Sequence, residues 1–238
     1  MKVEIWSDVA CPWCYIGKRR FEAATAEFEH RDQLEVIWRS FELDPSAPSR
    51  REGTPAEHLA RKYGTTVEQA AQMNSRMSDA AAGDGLAYRL DELKMGNTFD
   101  AHRLIHLGAE HGLQDAVKER LLAAYLTQGE AISDRETLVR LGSEAGLDSA
   151  EARFMLDSDR FTAEVRADER EAGELGINGV PFFVLDRRYG ISGAQPAELL
   201  LEALRQAWRE ANPLTTLTPV GGPGPVCDDE SCEVPQPN

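Results

Sequence analysis

The sequence predicts an α/β chain whose small sheet is split by one long helical excursion. Three observations lead there. A strand, a long helix and a second strand fill residues 2–41. Punctuated helical patterns then run from Pro55 to about Leu175, and strand character returns near Val180 before a last amphipathic helix.

The first strand covers residues 2–7, with Val3 and Ile5 as its apolar positions. From Pro12 to about Glu29 the pattern is helical, carried by Tyr15, Ile16, Phe21, Ala24 and Phe28, with no proline after the first position. His30-Arg31-Asp32-Gln33 is a polar turn, and residues 34–41 are rich in β-branched and aromatic side chains, a second strand. Two strands joined through a helix make a βαβ unit with parallel strands and a right-handed crossover. A loop with two prolines, Asp44-Pro45-Ser46-Ala47-Pro48, ends this unit. Thr54 precedes Pro55, and Glu57 follows at capping-box spacing, so a helix starts there. Further helices are predicted at about 67–82, 99–110, 114–127, 135–145, 149–156 and 160–173, separated by Gly and Ser/Asp signals. No repeat signature points to a solenoid. Phe182-Phe183-Val184-Leu185-Asp186 reads as a strand, Asp186-Arg187-Arg188-Tyr189 as a turn and Tyr189-Gly190-Ile191-Ser192 as a short last strand, together a hairpin. The final helix, 195–211, puts Leu199, Leu200, Leu204, Ala207 and Trp208 on one side. From Asn212 the chain is Pro/Gly-rich and aperiodic, and is predicted to be a flexible tail. The organisation is therefore a discontinuous sheet domain, 1–44 with 176–211, a helical insertion domain, 45–175, and a tail, 212–238. An insertion of this kind closes on itself at modest entropic cost.

Composition narrows the function classes. Of 238 residues 42% are hydrophobic, enough for a real core, and 41 acidic against 26 basic residues give a net charge of −15. That charge repels phosphates and anionic headgroups, which argues against nucleic-acid and membrane partners. No run approaches the roughly 18 apolar residues of a membrane span. The N-terminus lacks the apolar segment of a secretory signal, so a cytoplasmic protein is expected. In that compartment a Cys-x-x-Cys pair is more often catalytic, redox-sensing or metal-binding than structural.

The chemistry-bearing stretch is Cys11-Pro12-Trp13-Cys14, fed by the first strand and opening the first helix. Pro12 suits the first helical position, where its missing N–H would go unpaired anyway. A thiolate at a helix start is held by unpaired N–H groups and the positive end of the helix dipole. Such sites lower a cysteine pKa from about 8.5 to between roughly 3.5 and 7.5. Cys14 lies three residues on, on the same helix face, and can attack a mixed disulfide formed at Cys11. The pattern predicts Cys11 as the exposed, ionised nucleophile and Cys14 as the sheltered resolving thiol. Trp13 should border the pair as part of an apolar docking surface.

Three patches together resemble the thioredoxin superfamily, most closely its DsbA-like branch and, within it, the FrnE-type disulfide oxidoreductases. They are Trp6-Ser7-Asp8-Val9-Ala10-Cys11-Pro12-Trp13-Cys14-Tyr15-Ile16-Gly17, Asn97-Thr98-Phe99-Asp100-Ala101-His102 and Gly176-Ile177-Asn178-Gly179-Val180-Pro181-Phe182-Phe183-Val184. The resemblance covers about residues 2–211. It implies a thioredoxin fold with a large all-helical insertion and a cytoplasmic thiol–disulfide oxidoreductase, whether oxidase, reductase or isomerase. It implies no bound cofactor. Substrates would be protein or peptide thiols and disulfides, with glutathione or thioredoxin as the recycling partner. By the same resemblance Pro181 is the cis-proline facing the cysteines. It leaves the backbone of Val180 free to pair with an extended substrate segment. Pro12, Trp13, Val180 and Pro181 are then the substrate-binding residues.

Two departures matter. Some relatives carry a buried acid six residues before the first cysteine; here that residue is Ile5, and Asp8 is the nearest carboxylate. Asp8 is either a proton-transfer group or a solvated turn residue. The Pro12-Trp13 dipeptide supplies no cation beside Cys11, where the periplasmic branch has Pro-His. The reduction potential is open across the span of about −120 to −270 mV seen in such folds. An alternative on the same fold is the glutathione-dependent kappa type of isomerase or transferase, 2-hydroxychromene-2-carboxylate isomerase-like. That branch typically has Ser at the position of Cys11, and the two cysteines count against it.

Other residues carry weaker signals. Cys227 and Cys232 lie in the tail among Asp228, Asp229, Glu230 and Glu233, whose charges raise a thiol pKa. An accessory redox pair relaying to Cys11–Cys14, a pair without a role, and a metal site all stay open there. His102 and His106 are spaced i, i+4 on a helix, but Arg103 stands where a metalloprotease glutamate would be and no third ligand is at hand, so no metal is assigned. Asp8, Asn97 and His102 are candidates to line the cleft over Cys11.

Overall fold

A computed structural model describes residues 1–213. Cys227, Cys232 and most of the predicted tail lie outside the described residues. The element order is β1 (Lys2–Ser7), α1 (Pro12–Ala26), β2 (Glu35–Ser40), α2 (Pro55–Tyr63), α3 (Val67–Gly83), α4 (Phe99–Glu110), α5 (Gln114–Gln128), α6 (Arg135–Glu144), α7 (Ser149–Leu156), α8 (Thr162–Glu174), β3 (Phe182–Leu185), β4 (Tyr189–Ser192) and α9 (Ala197–Ala211). Every predicted element is present. The first helix stops at Ala26, three residues short of its predicted end, and a short 3₁₀ turn occupies Arg31–Gln33.

Helix starts follow local side-chain chemistry. Thr54 and Glu57 form the predicted capping box of α2. Thr66 and Gln69 form a second one for α3, and Asp134 and Asp148 cap α6 and α7. These caps supply acceptors for N–H groups that a helix leaves unpaired.

The four strands form one sheet in the order β2-β1-β3-β4. The pair β1·β2 is parallel, as the intervening helix demands, and the other two pairs are antiparallel. Alternation sends successive side chains to opposite faces. Val3, Ile5, Trp38, Phe183 and Leu185 enter the main core with Phe21 and Phe28 of α1 and Leu200 and Leu204 of α9. Trp6, Val184 and Phe182 pack on the other face against Ala172 of α8 and Ile177 beyond its end. The main core continues from the sheet into Leu104, Leu121, Leu122 and Leu138 of the helical block. The insertion thus shares its buried interior with the sheet.

The β3–β4 turn has Asp186 and Arg187 both at positive φ, 45° and 56°. Two such residues give the backbone twist a tight hairpin needs. The conformation disfavours side chains without a compensating contact. Here Asp186 Oδ1 accepts the Lys2 N–H, and Arg187 pairs with Glu4 and Glu171.

Buried charges join the insertion to the sheet. Asp168 of α8 accepts hydrogen bonds from the Arg39 guanidinium at 3.0 Å and the Ser40 N–H at 2.9 Å, and its carboxylate meets His106 at 3.2 Å. Burial works against its charge, but His106, the Ser40 N–H and Arg39 together hold its pKa below the usual carboxylate value. Replacing it leaves the Ser40 N–H without its acceptor and the Arg39 guanidinium with Glu4 as its remaining carboxylate. Asp168→Ala is expected to cost about 1–3 kcal/mol of folding stability. Urea denaturation measures this, and a loss below about 1 kcal/mol would show that the junction is held by something else.

Candidate active site

The site gathers around the first turn of α1. Cys11 is the N-cap residue with extended backbone, and Pro12 occupies the first turn. Cys11 and Cys14 both carry free thiols. The loop before β3 closes over them. Its Val180–Pro181 peptide bond is cis, and Cys11 Sγ–H donates to the Val180 carbonyl at 3.6 Å. The approach is tight: a Cβ on Gly17 would stand 2.8 Å from Pro181 Cγ, so only glycine fits at that position of α1. Tyr88, from the loop after α3, donates its hydroxyl to the Pro12 carbonyl at 2.6 Å and stacks near Tyr15 with ring centres 6.3 Å apart. Trp13 is 43% exposed and faces solvent beside the pair.

The electrostatics differ from the sequence expectation. Cys11 is buried at 5% exposure, and Cys14 more deeply at 1%. The Cys11 proton is held well above the ordinary thiol range, first by the hydrogen bond with Cys14, then by burial and by repulsion from the Cys14 sulfur. The Cys14 pKa is lowered. Burial opposes this, but the hydrogen bond from Cys11, the charge of Lys118 and the Ser7 hydroxyl outweigh it. The two thiols are coupled and share one negative charge. The structure corrects the expected exposure of Cys11: the Val180 carbonyl and the cis-proline loop lie against it and bury it.

Below the dithiol is a set of buried polar groups. Asp8, 1% exposed, accepts hydrogen bonds from the Ala10 N–H at 3.2 Å and the Leu43 N–H at 2.8 Å, and its Oδ1 lies 3.4 Å from His102 Nε2. Burial opposes its charge, but His102 and the two N–H donors hold its pKa below the usual value. The pKa of His102 is lowered, chiefly by burial, so it is a neutral imidazole near pH 7. Asp8 is therefore no solvated turn residue; the structure makes it the anchor of the loop leading to Cys11. His106 meets Asp168 rather than joining His102 at a metal. No group of three or more His, Cys, Asp or Glu side chains among the described residues could hold a metal ion.

Residues 2–205 match the family described as DSBA-like thioredoxin domain. The chain belongs to that family. A probable DsbA oxidoreductase from Streptomyces coelicolor is 47% identical, with a TM-score of 0.85 over 99% of this chain and 100% of that one. Two more distant structures share the fold. The cytosolic disulfide reductase DsbM from Pseudomonas aeruginosa, solved with GSH, is 21% identical with a TM-score of 0.60, over 88% of this chain and 100% of its own. A 2-hydroxychromene-2-carboxylate isomerase is 17% identical with a TM-score of 0.64, over 91% of this chain and 100% of its own.

Of the predicted site residues, the structure brings together Cys11, Pro12, Trp13, Cys14, Val180 and Pro181, with Asp8 and His102 beneath. Asn97 is engaged elsewhere: its amide donates to Glu42 at 3.4 Å and to the Ala47 carbonyl at 3.3 Å, and its Oδ1 accepts the Phe99 N–H at the start of α4. Two residues escaped the sequence reading. Tyr88 sits on a loop with no periodicity to flag it. Lys118 falls in the buried stripe of α5 with Leu121, Leu122 and Tyr125, and a lysine within an apolar stripe was the available signal.

Glu42 adds a pH-sensitive element next to Leu43. Its side chain is fully enclosed and its pKa is pushed up to about 7, first by burial and then by Glu169, against the pull of Arg166. Arg166 Nη1 lies 2.6 Å from a carboxylate oxygen of each glutamate. A carboxyl whose folded pKa exceeds its unfolded value adds stability that is complete below the unfolded value, near 4.3, and is lost as pH rises through about 7. Stability should therefore fall between about pH 4.3 and 7, with a slope approaching about 1.4 kcal/mol per pH unit midway for this one proton, and level off above. Glu42→Gln should flatten that dependence. Melting curves across the range test it, and identical slopes in the two proteins would remove Glu42 as the cause.

Proposed function

We propose that the protein is a cytoplasmic thiol–disulfide oxidoreductase working through Cys11 and Cys14. The observation that carries this is the pair of free thiols at a helix start, with the cis-Pro181 loop against them and the Val180 carbonyl accepting from Cys11. Family membership supports the reaction class, since a probable oxidoreductase is 47% identical over nearly the whole chain. No helix among the described residues is long and apolar enough to cross a membrane.

In the reducing direction Cys11 attacks one sulfur of a substrate disulfide. The one proton of the dithiol passes to Cys14 as Cys11 attacks. A mixed disulfide forms at Cys11 and one substrate sulfur leaves as a thiolate. Cys14 gives its proton to that thiolate, attacks Cys11 Sγ, closes the Cys11–Cys14 disulfide and releases the second substrate sulfur as a thiolate. Two electrons pass to the substrate; the oxidising direction is the same path reversed. Cys11 is the attacking sulfur because it is the less enclosed of the two and borders the solvent-facing Trp13. Pro12, Trp13, Val180 and Pro181 form the docking rim, with protein or peptide thiols and disulfides as substrates. Glutathione or thioredoxin would recycle the pair. The DsbM structure with GSH supports a glutathione-sized thiol at such a site. Cys227 and Cys232 are proposed as a relay pair that exchanges with Cys11–Cys14.

An insulin reduction assay with glutathione or thioredoxin as donor tests the reading. Cys11→Ser should lower turnover by more than about a hundredfold. Cys14→Ser should accumulate a mixed disulfide at Cys11, visible by mass spectrometry. Turnover that survives loss of Cys11 would overturn the assignment. If isomerisation of a 2-hydroxychromene-2-carboxylate persisted with glutathione, the kappa-type alternative would replace it.

A further inference from the structure

Strand β2 ends the sheet, so one of its sides has no neighbouring strand. Such an edge offers open N–H and C=O groups to any passing chain, and folded proteins blunt it. Most of this edge is blunted. The Gln114 side chain fills the Trp38 position as a peptide group would: its Oε1 accepts the Trp38 N–H at 3.0 Å and its Nε2 donates to the Trp38 carbonyl at 2.9 Å. Asp168 takes the Ser40 N–H at 2.9 Å. Glu35 points the other way, its N–H on the Met1 carbonyl beside β1. Alternation therefore turns the Val36 N–H and carbonyl outward, and no strand or side chain among the described residues meets them. Beside this open rung lies a cavity of about 420 Å³. Its floor is apolar, from Phe21 of α1 and from Leu34, Val36 and Trp38, and Val36 is 38% exposed. Its ends differ in charge. Arg31 stands at the end before β2, with the exposed Asp32 carboxylate 3.8 Å away. Glu22 and Asp115 stand at the Trp38 end, where Asp115 accepts from the Trp38 indole at 2.9 Å. Both carboxylates also meet the buried Lys18, yet the Asp115 side chain stays 65% exposed.

We infer that the open rung of β2 and the groove beside it are a self-association surface, which pairs antiparallel with the same rung of a second copy across a two-fold axis at Val36. The order of charges selects this occupant. A two-fold axis presents one patch to itself, so the patch must be self-complementary. An antiparallel approach reverses the groove and sets the Arg31 end of each copy against the Glu22–Asp115 end of the other. The parallel arrangement would put like charges together. On the axis the two Val36 residues exchange N–H···O bonds, which uses the one rung that Gln114 and Asp168 leave free. The Leu34 and Val36 side chains of each copy then cover the apolar floor of the other. Gln114 also limits the contact, because a strand carried further along the edge would collide with its carboxamide. The pairing is therefore short and depends on the side chains of the groove. It lies at the start of β2, whereas Cys11 follows the far end of the parallel neighbour β1, so both dithiols stay open to substrate. The inference is independent of the exchange reading.

Sedimentation equilibrium of the full chain, from about 1 μM to about 1 mM, is the test. The natural protein should show a reversible monomer–dimer equilibrium. Val36→Lys puts a charge on the edge and should weaken the dimer at least about tenfold. Arg31→Glu sets acid against acid and should also weaken it at least about tenfold, while Arg31→Lys keeps the sign and should stay within about threefold of the natural protein. A natural protein that is monomeric throughout overturns the inference and leaves the groove to a partner of other sequence. A dimer that withstands both Val36→Lys and Arg31→Glu overturns it too, because its interface lies elsewhere. If Val36→Lys lacks native circular dichroism, amide hydrogen exchange of the natural protein decides. Exchange at the Val36 N–H should slow at least about fivefold from dilute to concentrated samples, and a rate independent of concentration overturns the pairing. None of these readouts uses turnover. A monomer active on insulin would lose the dimer and keep the dithiol reading; an inactive dimer with the expected variants would do the reverse.

Discussion

The antiparallel pairing of β1 with β3 is the constraint on which the site depends. Its register sets Trp6 opposite Phe182 and Ile5 opposite Phe183. Cys11 follows β1 by a short turn, and Pro181 immediately precedes β3. The pairing therefore brings two segments 169 residues apart within reach of one hydrogen bond. A shift of one residue would exchange the faces of β3 and turn Phe183 away from the core. The apolar alternation that fixes the register is thus what holds the Val180 carbonyl over Cys11. Gly17 completes the arrangement, because any larger side chain would collide with Pro181.

The helical block is more than a lid on this frame. Its helices carry charged and polar side chains into the interior at places where the sheet needs them. Asp168 of α8 takes Arg39 and the Ser40 N–H at the end of β2. His102 of α4 stands by Asp8, and Lys118 of α5 reaches the end of β1. Burying so many ionisable groups costs desolvation, and each is tolerated because a partner of opposite charge or a backbone group meets it.

Much of the fold was legible along the chain. Alternation in β1, the stripe of α9, the Thr54–Glu57 capping box and the glycines between helices are local signals, and the elements formed where they stood. The cysteines, Pro12 and Pro181 were legible too, because their chemistry depends on a few adjacent residues. The burial of Cys11 was not, since nothing within the first helix says that a loop at 179–181 will cover it. Nor was the role of Asp8, whose donors at Leu43 and His102 come from other elements.

Residue order alone was enough to locate the strands, the helices and the Cys11–Cys14 pair at a helix start, because backbone propensity, capping and i, i+3 spacing act over a few residues. What surrounds the two sulfurs emerged only once the chain was packed: Lys118, Ser7 and the Val180 carbonyl come from three separate parts of it, and Coulomb forces in a low-dielectric interior depend on distance through space rather than along the backbone.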